Sequence, residues 1–217
     1  INDARDYLKK ARKNPDEVQK YSKLAIEASN DAIKSVVPYK KGELKGIWLR
    51  PTETSEAEII ATLNRLQQTG IDNVFIETYF HGKTIFPSKT MMAYGFTPQY
   101  EKFTGIDPLE IWIREAHKRG IKVHTWFETF YAGNQSPNDN PNSILAKNPS
   151  WGNKTKKDYA STLPSKSASE HNGYFLDPAN PYVQDFLLKL TDEIITRYKP
   201  DGINIDYIRY PNTVGTG

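Results

Sequence analysis

Cysteine is absent from the 217 residues, which excludes disulfides, thiol nucleophiles and cysteine-ligated zinc. No apolar run approaches the roughly 18–20 residues that span a bilayer, so no membrane span is expected in this chain. The opening INDARDYL has neither Met nor a signal-peptide pattern, and the chain is expected to be an excised or processed piece of something longer. A basic footprint is missing too. Residues 1–41 hold ten Lys/Arg against six Asp/Glu, which leaves 19 against 20 for the rest. The main part is therefore near neutral, and no nucleic-acid partner is expected. The four histidines, His81, His117, His124 and His171, show neither the H-x-H nor the H-E-x-x-H spacing of metal sites. There is no G-x-S-x-G elbow for a serine triad. Neither a metal nor a cofactor is expected.

What is present suffices for a core, with 37% hydrophobic and 12% aromatic residues. Residues 2–36 read as helix, with Val18, Tyr21, Ala25 and Ala28 at three-and-four spacing and Pro15 separating a short helix from a longer one. PYKKGELKG, 38–46, reads as a linker. A strand–helix rhythm follows. GIWLRP (46–51), NVFIETYF (73–80), IKVHTWFETF (121–130) and GINIDYIRY (202–210) are strand-like. Between them lie three helices. SEAEIIATLNRLQQTG (55–70) starts at a Ser55 cap, DPLEIWIREAHKRG (107–120) opens on Asp107 and Pro108, and NPYVQDFLLKLTDEIITRYKP (180–200) opens on Asn180 and Pro181. Such alternation predicts parallel strands with helical crossovers. An open doubly wound sheet and a (β/α)₈ barrel both fit. The first turn, LRPTETS, lacks the glycine-rich phosphate loop of a nucleotide fold, which favours the barrel.

Strand alternation separates two faces. Ile47, Leu49, Val74, Ile76, Val123, Thr125, Phe127, Ile203 and Ile205 fall on one, which suits packing under helices. Trp48, Arg50, Phe75, Glu77, Tyr79, His124, Trp126, Glu128, Asn204 and Asp206 fall on the other. That second face grows more polar toward the C-terminal strand ends, where barrels build their chemistry. Arg50, Glu77, His124, Glu128 and Asp206 are expected to converge there. Burying that many ionisable groups is costly without a purpose, although an Arg50–Glu77 ion pair would also suit a purely structural interior. Two long insertions, after the second and third strands, carry aromatic and polar residues: His81, Tyr94 and Tyr100 in the first, and Tyr131, Asn134, Trp151, Tyr174 and Asp177 in the second. Rings with polar partners suit a sugar-binding cleft.

Paired carboxylates on neighbouring strand ends point to glycoside hydrolysis. One attacks or activates water while the other protonates the leaving oxygen, at about 5–5.5 Å separation for retention or about 6.5–9.5 Å for inversion. Asp206 is the expected nucleophile or base and Glu128 the second carboxylate, with Arg209 expected to hold Asp206 ionised. Arg50, Glu77, Tyr79, His124, Trp126, Trp151, Asp177, Arg209 and Tyr210 are the expected substrate-binding residues. A non-catalytic carbohydrate-binding surface module is the alternative. It would keep the aromatic residues and need no poised carboxylates.

GIWLRP, NVFIETYFHG, DPLEIWIREAHKRGIKVHTWFE, NPSW, YFLDPANPYVQDFLLKLTDEI and DGINIDYIRYP, in this order over roughly residues 45–211, resemble the glycosyl hydrolase-like family 10 domain of bacterial surface lipoproteins. The resemblance implies a (β/α)₈ TIM-barrel fold, a poly- or oligosaccharide substrate of the cell wall or environment, and an extracytoplasmic setting, secreted or at the bacterial surface. The layout is also similar to α-amylase-type barrels, whose nucleophilic Asp ends the fourth strand, as Asp206 does here. Asn204 stands where those enzymes carry an Arg. Their acid/base Glu ends a fifth strand, and only four strand–helix units are found in this sequence. The expected organisation is a helical segment and linker over 1–41, then the N-terminal half of a barrel over 42–217. The full-length chain or a partner chain would supply the remainder.

Overall fold

The computed structural model describes residues 1–36 and 42–211; residues 38–41 of the expected linker lie outside them. The chain divides into two compact units, Ile1–Glu43 and Leu44–Gly217. The first is a helical hairpin, α1 (Asn2–Lys13) and α2 (Val18–Val36), joined by a 3₁₀ turn that Pro15 opens. Ala4, Ala11 and Ala25 are its buried residues, and their small side chains let two helices lie close.

In the second unit the elements run β1 (Gly46–Leu49), α3 (Glu56–Gln68), β2 (Asn73–Phe80), β3 (Lys83–Thr84), α4 (Lys89–Ala93), α5 (Pro108–His117) and β4 (Lys122–Glu128). They continue with β5 (Tyr131–Gly133), α6 (Ile144–Lys147), β6 (Lys166–Ser167), β7 (Gly173–Phe175), α7 (Pro181–Tyr198) and β8 (Gly202–Asp206). The main sheet has the order β1-β2-β4-β8, all parallel, with β3 added antiparallel to β2. This is an α/β fold built on a parallel sheet. A small antiparallel sheet, β5-β7-β6, occupies the long connection between β4 and α7, so that insertion has structure of its own.

Local chemistry explains the helix boundaries. Ser55 Oγ accepts the Glu58 N–H at 3.3 Å, Asp107 Oδ1 the Glu110 N–H at 3.3 Å, and Asn180 Oδ1 the Tyr182 N–H at 2.9 Å. Each satisfies a donor that the helix itself leaves free. Pro108 and Pro181 stand at first positions, where a missing N–H is harmless. The core joins Ile59 and Leu63 of α3, Val74 and Ile76 of β2, Leu109 and Trp112 of α5, Val123 of β4 and Phe186, Leu190 and Ile194 of α7. This is the aliphatic strand face covered by helices. Asp107 also accepts Tyr198 Oη at 2.6 Å and Arg197 Nη2 at 3.0 Å, tying α7 to the start of α5.

Ile205 departs from expectation. Alternation puts it with Ile203 on the helix-covered face, but only Ile203 packs against the core. Ile205 is 53% exposed, as is Trp48 on β1. Both belong to strands with a neighbour on one side only among the described residues.

Phe186 anchors α7, with ring centroids of Tyr94, Phe96 and Trp151 at 5.1, 5.4 and 5.6 Å. Phe186→Ala is expected to lower stability by about 3–5 kcal/mol in urea unfolding. A loss under about 1 kcal/mol would show that this cluster does not hold α7.

Candidate active site

The strand face opposite the helices is arranged in three tiers. In the lowest, Trp48, Phe75 and His124 stack in a row, with centroids 4.2 and 4.6 Å apart. Gly202 completes it on β8, where a Cβ would come within 2.5 Å of His124 Nδ1. A side chain there would displace the imidazole. Above lie Arg50, Glu77, Trp126 and Asn204, with Glu77 opposite Trp126 and Trp126 opposite Asn204 in the strand register. The top tier is Glu128 of β4, whose register partner on β8 is Asp206. Neighbouring strands lie about 4.8 Å apart.

The carboxylates differ in their surroundings. Glu77 and Glu128 are buried, at 2% and 1% exposure. Arg50 Nε donates to Glu77 Oε1 at 3.0 Å, and Arg50 Nη2 lies 3.9 Å from Glu128 Oε1. The Arg50 guanidinium also sits 5.4 Å from the Trp126 ring centroid, within cation–π range. Burial pushes the Glu77 carboxyl above its ordinary value, and Arg50 pulls against that shift. Glu128 is pushed up to about 7, chiefly by burial. The His81 N–H, donated to its Oε2 at 3.1 Å, and Arg50 oppose the rise, while the charges of Glu77 and Asp206 add to it. Asp206 is less buried. Its Oδ2 accepts from Trp126 Nε1 at 2.9 Å and its Oδ1 from the Tyr207 N–H at 2.8 Å.

Two of these donors come from left-handed backbone. His81 and Tyr207 both have φ of 49°, a conformation that non-glycine residues hold only at a cost of roughly 1–3 kcal/mol. Each turns its amide onto a carboxylate: His81 onto Glu128, Tyr207 onto Asp206. The Tyr207 ring stacks on Tyr131 at 4.8 Å. His81 is expected only as one of the insertion residues and Tyr207 not at all, because sequence carries little trace of a strained φ outside glycine.

Arg50, Glu77, Trp126, Glu128 and Asp206 are thus brought together. The other expected residues lie apart from this group. Tyr79 does not share their face. A bulge between Glu77 and Tyr79 shifts the register, so Tyr79 pairs with Phe127, stacks on its ring at 4.6 Å and is fully buried. His124 lies four residues below Glu128, about 13 Å along the strand at ~3.3 Å per residue, and its Nε2 is 2.8 Å from Asn73 Oδ1. It is part of the floor, not the mouth. Arg209 does not pair with Asp206; its Nη1 donates to Glu170. Trp151 is buried at the Phe186 cluster. Asp177 Oδ1 accepts the Ala179 N–H at 3.0 Å in the turn before α7. Tyr210 is exposed on the segment after β8.

A surface hollow of about 610 Å³ between α4 and α7, lined by Lys89, Tyr94, Lys189 and Glu193 among others, offers weaker chemistry. Glu193 is engaged in capping α4, accepting from Ser88 Oγ, Lys89 N–H and Thr90 N–H at 2.7–2.9 Å. Among the described residues no group of three or more His, Asp or Glu side chains is arranged to hold a metal ion, and no helix is long and apolar enough to cross a membrane.

The chain is similar to known proteins over most of its length. A family model described as glycosyl hydrolase-like 10 matches residues 43–217. The chain is 29% identical over 200 residues to glycosyl hydrolase DigH of Escherichia coli K12, covering 80% of this chain and 43% of that protein. It is 26% identical over 188 residues to glycosyl hydrolase YngK of Bacillus subtilis 168, covering 78% of this chain and 34% of that one. The chain thus spans less than half the length of these curated relatives. Among solved structures, a noncanonic maltogenic α-amylase, AmyB from Thermotoga neapolitana, superposes with a TM-score of 0.51 at 13% identity, over 78% of this chain and 40% of that one. That likeness concerns the fold alone.

The raised Glu128 carboxyl has a signed consequence. Its ordinary value is 4.5 and its folded value about 7. Between these limits the unfolded chain loses the proton that the folded chain keeps, so stability is fully present below 4.5 and falls as pH rises toward 7. In thermal unfolding, Glu128→Gln is expected to flatten this decline and to be more stable than the wild type at pH 8. Parallel pH curves for the two proteins would contradict the assigned shift.

Proposed function

This chain belongs to the glycosyl hydrolase-like 10 family, and from that premise we propose that it hydrolyses glycosidic bonds of a poly- or oligosaccharide by carboxylate catalysis. The carrying observation is the register pair at the top of the sheet. Glu128, held up to about 7, stands opposite Asp206, both of whose oxygens accept N–H donors. With a value of about 7, Glu128 still carries its proton in about half of the molecules at neutral pH and acts as the general acid toward the leaving oxygen. Asp206 acts as the nucleophile or as the base that activates water. Arg50 and Glu77 fix the charge around them, and Trp126 orients Asp206 through its indole N–H.

In this reading the parallel sheet is part of a (β/α)₈ barrel whose further strands adjoin β1 and β8. The exposed Trp48 and Ile205 on those strands support it, because parallel sheets are normally covered on both faces. The two curated relatives, each more than twice as long as the matched span, support it too. In this reading the substrate is a glycan of the cell wall or environment, and the protein works outside the cytoplasm, secreted or at the bacterial surface.

In the full-length protein, Asp206→Asn is expected to lower turnover of a hydrolysed glycan by about 10²–10⁴-fold with folding intact. The wild-type rate should fall above a pH of about 7 as Glu128 ionises. Release of reducing ends from a panel of aryl and polymeric glycosides checks both. Undiminished turnover by a folded Asp206→Asn protein would sink the assignment. Glycan binding without hydrolysis by the wild type would favour the binding-module alternative.

A further inference from the structure

Glu170 is a buried carboxylate to which the mechanism above assigns no role. It opens a tight turn between β6 and β7. Gly173 N–H donates to Glu170 O at 2.8 Å, and the two central residues, His171 and Asn172, have φ of 55° and 59°. This is the double left-handed geometry that fits the twist of a two-stranded hairpin. The turn directs Glu170 inward, to 9% exposure. Its Oε1 accepts from Arg209 Nη1, and its Oε2 is buried with no hydrogen-bond partner among the described residues. Such a half-satisfied buried charge is a poor device for stability alone.

Its partner leads to the site. The Arg209 guanidinium carbon lies 5.3 Å from the Tyr207 ring centroid and 6.0 Å from that of Phe175. Tyr207 stacks on Tyr131, and Phe175 meets Tyr131 edge-on at 5.2 Å. Tyr131 in turn lies flat over Gly173, where a Cβ would come within 2.2 Å of its ring. Tyr207 is therefore held by a stacked ring and a guanidinium, both anchored to the β6–β7 hairpin. Within that clamp Tyr207 has its left-handed φ, with its amide on Asp206 Oδ1.

We infer that Glu170 is a positioning residue for Asp206, acting through Arg209 and Tyr207. Its effect on catalysis rests on the hydrolytic reading above; its effect on the geometry does not. The test uses the full-length protein with Glu170→Gln, Glu170→Asp, Arg209→Gln and the Glu170→Gln/Arg209→Gln double variant. Hydrogen exchange of the peptide containing Tyr207 is read beside kcat and KM on the 4-nitrophenyl glycosides that the wild type hydrolyses.

In Glu170→Gln, exchange at Tyr207 should rise about tenfold while the melting temperature stays nearly constant. Turnover should fall about 10–100-fold at unchanged KM, the signature of misplaced rather than lost chemistry. Glu170→Asp should recover part of both, and the double variant should be no worse than either single one. Unchanged exchange and kcat in Glu170→Gln would overturn the inference, as would losses that add in the double variant. If Glu170→Gln fails to fold, the same exchange measurement on Glu170→Asp and Arg209→Gln decides. A fully active Asp206→Asn protein would remove the hydrolytic reading, while exchange at Tyr207 would still judge the clamp.

Discussion

Two carboxylates, Glu77 and Glu128, are buried side by side at the C-terminal end of a parallel sheet, with the Arg50 guanidinium reaching both. Taking two like charges out of water against one cation cannot be fully compensated, so both carboxyls are raised above their ordinary values. Burial and the neighbouring charges push Glu128 up to about 7. The architecture around the strand ends follows from this constraint. The bulge in β2 is one example. Without it the register would set Tyr79 opposite Glu128 and on the same face; with it Tyr79 turns into the core, and the chain continues to His81, whose amide donates to Glu128.

The neighbouring strand end solves a related problem by similar means. Asp206 has no cation bonded to it among the described residues; it is held by an indole N–H and by a backbone amide in a left-handed conformation. Left-handed φ at His81 and at Tyr207 stores strain where the carboxylates need fixed donors. The long connection between β4 and α7 supplies the counterweight. Its small sheet carries Tyr131, Phe175 and Glu170 against Tyr207 and Arg209, while Trp151 from the same connection packs into the core beside Phe186. One insertion is thus anchored in the core at one end and laid against the site at the other.

Much of this scaffold is legible in the sequence. Caps at Ser55, Asp107 and Asn180, and prolines at 108 and 181, locate helices whose boundaries are set by local hydrogen bonds. Period-two alternation locates four parallel strands and puts Glu77, Trp126, Glu128 and Asp206 on one face. Alternation fails at Tyr79 because one unpaired residue inverts every side chain after it, and nothing in NVFIETYF marks where that residue falls. It also says nothing of height along a strand, so it groups His124 with Glu128 although a full tier separates them. Nearness in sequence points Arg209 to Asp206, whereas its partner, Glu170, is 39 residues away in the chain. Nothing in the sequence marks Glu170 as buried, because which carboxylate a turn buries depends on tertiary packing.

Burial holds the Glu128 proton up to neutral pH beside Asp206, and titration of the Glu128 side-chain carboxyl by carbon NMR on glutamate-labelled protein, assigned by comparison with a Glu128 substitution, measures this. A midpoint of about 7 is expected. A midpoint in the ordinary glutamate range, about 4.3, would contradict it.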